Sequence, residues 1–204
     1  MRLISIHIFK WKSEDAKLWC SEMNLTDLWF YQRGIAKDLI NFNAMTIAGR
    51  IPKGNKGSIT LENDVGRCHC WVTKDGIAAT AMTCNDYPER AAYTLLNKII
   101  FDFGDKFNGT DVLTKDPTPG KQLEFPELEV YLRDWQNPHE ADKLLKIEKE
   151  LEEVSTIVHK NLKDLLERGE AMEELMDKSE TLNQASVAFY KQAKKNNTRC
   201  CNVA

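Results

Sequence analysis

The chain has 204 residues, with 28 Lys and Arg against 31 Asp and Glu and a formal net charge of −3. That length holds one domain plus an appendage, or two small domains, and the near-neutral balance points to no nucleic-acid partner. No apolar run approaches the roughly 20 residues that a transmembrane helix needs, and the first residues lack a signal-peptide pattern. Six cysteines (Cys20, Cys68, Cys70, Cys84, Cys200 and Cys201) lack the density of a secreted disulfide framework, so reduced thiols in the cytosol are expected.

In chain order, Leu3 to Lys10 carries Ile4, Ile6 and Ile8 at the period of two expected of a strand. A helix is predicted over Gln32 to Ala48, with two apolar rows: Ile35, Leu39 and Phe42, and Ile40, Ala44 and Ile47. Strands are predicted at 58–63, 67–74 and 77–84, with Asp75-Gly76 as a tight hairpin turn. Asp86-Tyr87-Pro88-Glu89 reads as a capping-box start to a second helix, whose Ala92, Leu95, Leu96, Ile99, Ile100 and Phe103 repeat at three and four. A short helix follows Pro126, around Glu127 to Trp135. This order suits an α+β domain, an antiparallel sheet with helices on its faces.

Composition changes near residue 138. All six prolines lie at or before Pro138 and 16 of the 18 aromatics in residues 1–137, while Glu140 to Asn197 is a mixture of Leu, Glu, Lys and Ala with one glycine. Stepping alternately by three and four from Leu144 meets Leu144, Ile147, Leu151, Val154, Val158, Asn161, Leu165, Arg168, Met172, Leu175, Ser179, Leu182, Ser186, Phe189, Ala193 and Asn196, of which eleven are apolar. A strict 3.5-residue repeat over so many turns is the sign of a supercoiled helix bundle, so partner helices are expected. Alone in water, the segment should be weakly helical. Arg168 stands in the middle of the stripe, where a guanidinium would be buried and need acceptors from across the bundle.

Leu165-Leu166-Glu167-Arg168-Gly169-Glu170 within that stripe resembles the central layer of an R-SNARE, the Arg-contributing strand of the four-helix SNARE bundle, and the likeness continues through Phe189-Tyr190-Lys191. Tyr87-Pro88-Glu89-Arg90-Ala91-Ala92-Tyr93 resembles the second helix of longin domains, and Asn137-Pro138-His139-Glu140-Ala141-Asp142 the junction that follows them. The tail, Cys200-Cys201 followed by three residues, resembles the lipid-anchored type of longin R-SNARE found at the vacuole and Golgi. The resemblance implies a profilin-like longin domain of about five antiparallel strands and three helices at 1–137, a linker at 138–143, a long coiled-coil SNARE helix at 144–196 and a lipidated tail at 197–204. It also implies fusion of vesicles by assembly with three Q-SNARE helices, separation of the bundle by an ATPase and its adaptor, and a longin surface around Phe42 that receives the folded-back SNARE segment or lipid. The expected location is the cytosol and the cytoplasmic face of Golgi, endosomal, vacuolar and ER-derived membranes.

Cys201-Asn202-Val203-Ala204 fits a C-a-a-X box whose final Ala favours farnesyl, although Asn202 is not aliphatic. One prenyl chain binds a membrane marginally, which makes Cys200 the expected palmitoyl site. Lys191, Lys194, Lys195 and Arg199 add attraction to anionic lipid. Covalent lipids apart, no cofactor is expected.

Enzyme readings find little support. Gly49 and Gly54 have the first P-loop spacing, but Asn55-Lys56 follows where Gly-Lys is required. Cys68-His69-Cys70 lies on a predicted strand that points His69 away from its neighbours, so no metal site is expected, and His7, His69, His139 and His159 pair with no visible nucleophile. The alternative from another class is a lipid-anchored coiled-coil tether or adaptor whose long helix pairs with itself.

Overall fold

The computed structural model describes residues 2–62, 66–118, 120–138, 157–166, 170–179 and 182–200. The chain forms two compact units, Met1–Asn24 with Ala44–Leu165, and Leu25–Asn43 with Leu166–Ala204.

The first unit is built on a six-stranded sheet: β1 (Leu3–Lys10), β2 (Lys17–Met23), β3 (Lys56–Thr60), β4 (Arg67–Val72), β5 (Ile77–Thr83) and β6 (Ile157–Asn161), in the order β2-β1-β5-β4-β3-β6. Strands β1 to β5 pair antiparallel, and β6 joins β3 in parallel. Strand β5 is buried along its whole length and carries Ala78, Ala79 and Ala81, small side chains that let elements approach both faces of the sheet closely. Gly76 takes φ +92° in the turn before it, which closes the hairpin expected at Asp75-Gly76.

Helix α1 spans Phe30–Arg50, α2 Glu89–Lys106 and α3 Glu127–Asp134. The apolar stripe of α2 meets Ile6, Ile8, Ala79, Ala81, Trp71, Leu128 and Leu132 in the main core. Pro88 takes the cap position of α2 and no side-chain cap bond forms, so the expected capping box is replaced by a helix that starts after proline. Strand β2 had no clear sequence signal. It lies at the sheet edge, where the backbone N–H of Leu123 donates to the Trp19 carbonyl at 2.7 Å.

A buried polar chain runs under β3. Ser58 Oγ lies 2.8 Å from His69 Nδ1 and 3.2 Å from the Tyr93 hydroxyl, and His69 Nε2 lies 3.2 Å from Thr83 Oγ1. Burial, then Arg67 and His159, pushes the imidazole pKa down to about 4. The free cysteines Cys20, Cys68 and Cys70 are buried, and burial raises each thiol above its ordinary range, as for unreactive structural thiols.

Because His69 is neutral when folded and has an ordinary pKa near 6.5 when unfolded, its contribution to stability is present above about pH 6.5. It is lost as the pH falls through about 4. Denaturant titrations between pH 7 and pH 4 should lose about 3 kcal/mol of stability through this group, and His69→Gln should remove that share of the slope. An equal slope in the variant would exclude His69 as its source.

Candidate functional site

The segment that carries the 3.5-residue stripe is not one long helix in this structure. Its described part runs as β6, a single turn α4 (Leu162–Leu165), α5 (Met172–Lys178) and α6 (Gln184–Cys200). The physical reason is the one expected of a seam without partners. With no facing helices to bury it, the stripe gains nothing from staying straight, and the segment packs on its own chain instead.

In the first unit, Lys56, Gly57, Ser58, Ile59 and Thr60 pair with Ile157, Val158, His159, Lys160 and Asn161 in register. Ile157 is half-buried and the rest of β6 exposed, while Leu162 directly after it is buried. Docking therefore rests on backbone pairing, on the half-buried Ile157 packed against the main core, and on Leu162, whose burial contributes about 1.5–3 kcal/mol. His159 Nε2 stands 3.7 Å from Glu89 Oε1 at the start of α2.

In the second unit, Ser186 is buried and its hydroxyl donates to Asp38 Oδ2 of α1 at 2.8 Å. Phe42, one turn beyond Asp38 on the same helix face, is also buried. Lys191 pairs with Asp177 at 2.7 Å and Lys194 with Glu173 at 2.6 Å, joining α6 to α5. In a continuous helix these partners would stand about 21 and 31 Å apart, so both pairs belong only to the folded-back form. Burial tends to raise the Glu173 carboxyl, but its hydrogen bond to Lys194 and the Lys194 and Lys191 charges outweigh that and hold it below the usual range. Both pairs are exposed enough that each contributes little alone.

Among the seam residues, Met172 and Ser186 are buried, Leu165, Leu175, Ser179 and Leu182 are half-buried, and Val158, Asn161, Phe189 and Ala193 are exposed, Phe189 at 47 %. Leu144, Ile147, Leu151, Val154, Arg168 and Cys201 lie outside the described residues. Cys200 ends α6, with its side chain outside the description. Sequence reasoning missed the buried Leu162, Met176 and Val187, each off the seam, and Asp38. The apolar pair Met172 and Met176 at a spacing of four was the available signal for a second face.

The division of α1 falls along its length and not between its two rows, since Ile40 of the second row shares a unit with Ile35, Leu39 and Phe42. Residues up to Asn43 group with the C-terminal segment, whereas Ala44, Ile47 and Ala48 are buried in the sheet unit.

Residues 143–203 match the synaptobrevin family model and residues 30–132 the regulated-SNARE-like (longin) domain model. The synaptobrevin homolog ykt6 of Schizosaccharomyces pombe is 34 % identical over 204 residues, covering 100 % of both chains. The synaptobrevin homologs YKT6 of Saccharomyces cerevisiae and Eremothecium gossypii are each 35 % identical, with 98 % of both chains covered. Among the described residues no helix is long and apolar enough to cross a membrane. With a longin domain in front of a synaptobrevin segment and full-length likeness to these proteins, the chain belongs to the YKT6 family of longin-domain R-SNAREs.

Proposed function

We propose that this R-SNARE works as a two-state device: a closed form, in which its own longin domain holds the SNARE segment, and a bundle form, in which residues 144–196 zip with three Q-SNARE helices toward a lipidated tail and draw membranes together. The observation that carries the reading is the use of one segment for two incompatible purposes. Val158 and Asn161 are seam positions of a helix, yet here they belong to a strand on β3. Their backbone groups cannot serve the sheet ladder and an α-helix at once.

Energetics give the direction. Of the seven apolar seam residues in the described segment, only Met172 is buried in the closed form. The bundle gains most of what remains, at about 1.5–3 kcal/mol for each large side chain fully buried. No covalent chemistry enters, and the work of separating the bundle falls to an ATPase and its adaptor. Arg168 is the residue we assign to the central layer, accepting no bonds itself and donating to glutamine carbonyls of the partners. Cys201 is the farnesyl site and Cys200 the palmitoyl site, anchoring the chain to Golgi, endosomal, vacuolar or ER-derived membranes with the help of Lys191, Lys194, Lys195 and Arg199. In the closed form the prenyl chain is held by the longin domain around Phe42.

A disulfide between Thr60→Cys and Asn161→Cys, which are paired in register, tests the switch. The oxidised full-length chain should fail to assemble with the Q-SNARE helices and recover on reduction; assembly at the same rate in both states would refute the closed form as a block. Phe42→Glu should raise the membrane-bound fraction and the protease sensitivity of residues 184–200, and no change in either would remove Phe42 from the regulatory surface.

A fragment of residues 140–199 should be largely disordered alone and helical in a 1:1:1:1 complex. There Arg168→Ala should cost about 1–3 kcal/mol by thermal melting. A helical homodimer indifferent to those partners would favour the tether instead.

A further inference from the structure

Strand β3 is the outer rim of the five antiparallel strands, and residues 157–161 of the same chain cover it. An exposed strand edge is a template for another strand, and proteins commonly guard it with an outward lysine or a proline. The guard on this edge is slight: β3 has no proline, and its one lysine, Lys56, is drawn over the sheet with Nζ 3.9 Å from the centroid of the Trp71 ring, while Ser58 points into the buried chain of His69 and Tyr93. Gly57 makes room for Ile51: a Cβ there would meet Ile51 Cδ1 at 2.7 Å and would leave the Val158 carbonyl oxygen at an ordinary contact distance of 3.6 Å. Glu89 stands beside the rim, 3.7 Å from His159 Nε2, ready for a basic or imidazole side chain at that position of an incoming strand.

Once residues 157–161 turn helical in the bundle, this rim loses its occupant. We propose that the vacated β3 edge of a bundle-engaged chain accepts residues 157–162 of a second copy of this chain, as a parallel strand in the register seen here. The inference rests on the two-state reading above. The occupant follows from the fit on display, because a second copy carries the identical strand, the same His159 to face Glu89 and the same Leu162 anchor. Exchange of an identical element between copies requires no new contact. The joint is heterologous, β3 of one chain with the strand of another, so a chain that has entered a bundle holds an unassembled copy at the same place.

The test titrates a fluorescent peptide with the sequence of residues 156–163 into the full-length chain alone and into the full-length chain assembled with its three Q-SNARE helices. Assembly is scored first by circular dichroism. One peptide should bind per assembled chain, and binding to the closed chain should be at least about tenfold weaker, because its own strand competes at an effective concentration in the millimolar range. A peptide carrying both Val158→Pro and His159→Pro should not bind, since one of those two adjacent amides must face the ladder.

A well-formed bundle that binds no peptide, or that binds the diproline peptide equally, overturns the proposal. So does protection from hydrogen exchange, in the bundle without peptide, of those β3 amides that face residues 157–161 and not β4, which would mean that another partner covers the rim. Failure of the bundle to form overturns the two-state reading itself, and the proposal with it.

Discussion

The parallel pairing of β3 with residues 157–161 is the constraint on which the rest depends. Each backbone N–H and C=O of that segment can be used once, in a sheet ladder or in a helix. Five residues held as a strand therefore interrupt a helical seam that would otherwise run straight through them. The interruption falls in the sequence between the N-terminal part of the stripe and Arg168, so on the proposed reading a bundle zippering from the N-terminal end meets the docked strand before it reaches that residue. How firmly such a block holds is set by the free-energy difference between the docked and undocked strand.

The contacts that maintain the folded-back form are modest. They comprise one backbone ladder anchored by Leu162 and the half-buried Ile157, the buried side chains of Met172, Met176 and Val187, the Ser186 to Asp38 hydrogen bond, and two exposed ion pairs between α5 and α6. Each is an intramolecular contact, so the chain does not lose translational freedom to make it. The bundle offers more apolar burial but has to collect three other helices. A closed state of weak local contacts against an assembled state of strong distant ones is the balance that lets the segment wait without committing. A buried chain from Thr83 through His69 to Ser58 and Tyr93 holds β3 from within the core.

Much of the longin core was legible because its signals are local. Ile4, Ile6 and Ile8 alternate, Asp75-Gly76 turns, and the stripe of α2 repeats at three and four, and each has its counterpart in β1, the β4–β5 hairpin and α2. Strand β2 was missed because an edge strand buried in the middle and exposed at its end shows no alternation. The strand at 157–161 was hidden for another reason. Ile157 and Val158 have strand-forming side chains, but they sit inside a helical repeat, and no window of that sequence favours the sheet over the bundle. Asp38 was invisible because its partner lies 148 residues away.

By itself the sequence determined that residues 144–196 carry a 3.5-residue apolar repeat interrupted by Arg168, since such a period is a property of the chain and needs no knowledge of what it will face. It likewise determined an α+β domain before that seam, from strand and helix periods within the first 137 residues. Only the tertiary structure decided that part of the seam rests as a sixth strand on β3, that Ser186 meets Asp38 with Phe42 buried one turn away, and that α1 divides its length between two units. These are long-range choices. Their energy comes from backbone edges and packed surfaces brought together by the fold, which a local pattern of hydrophobic residues does not encode.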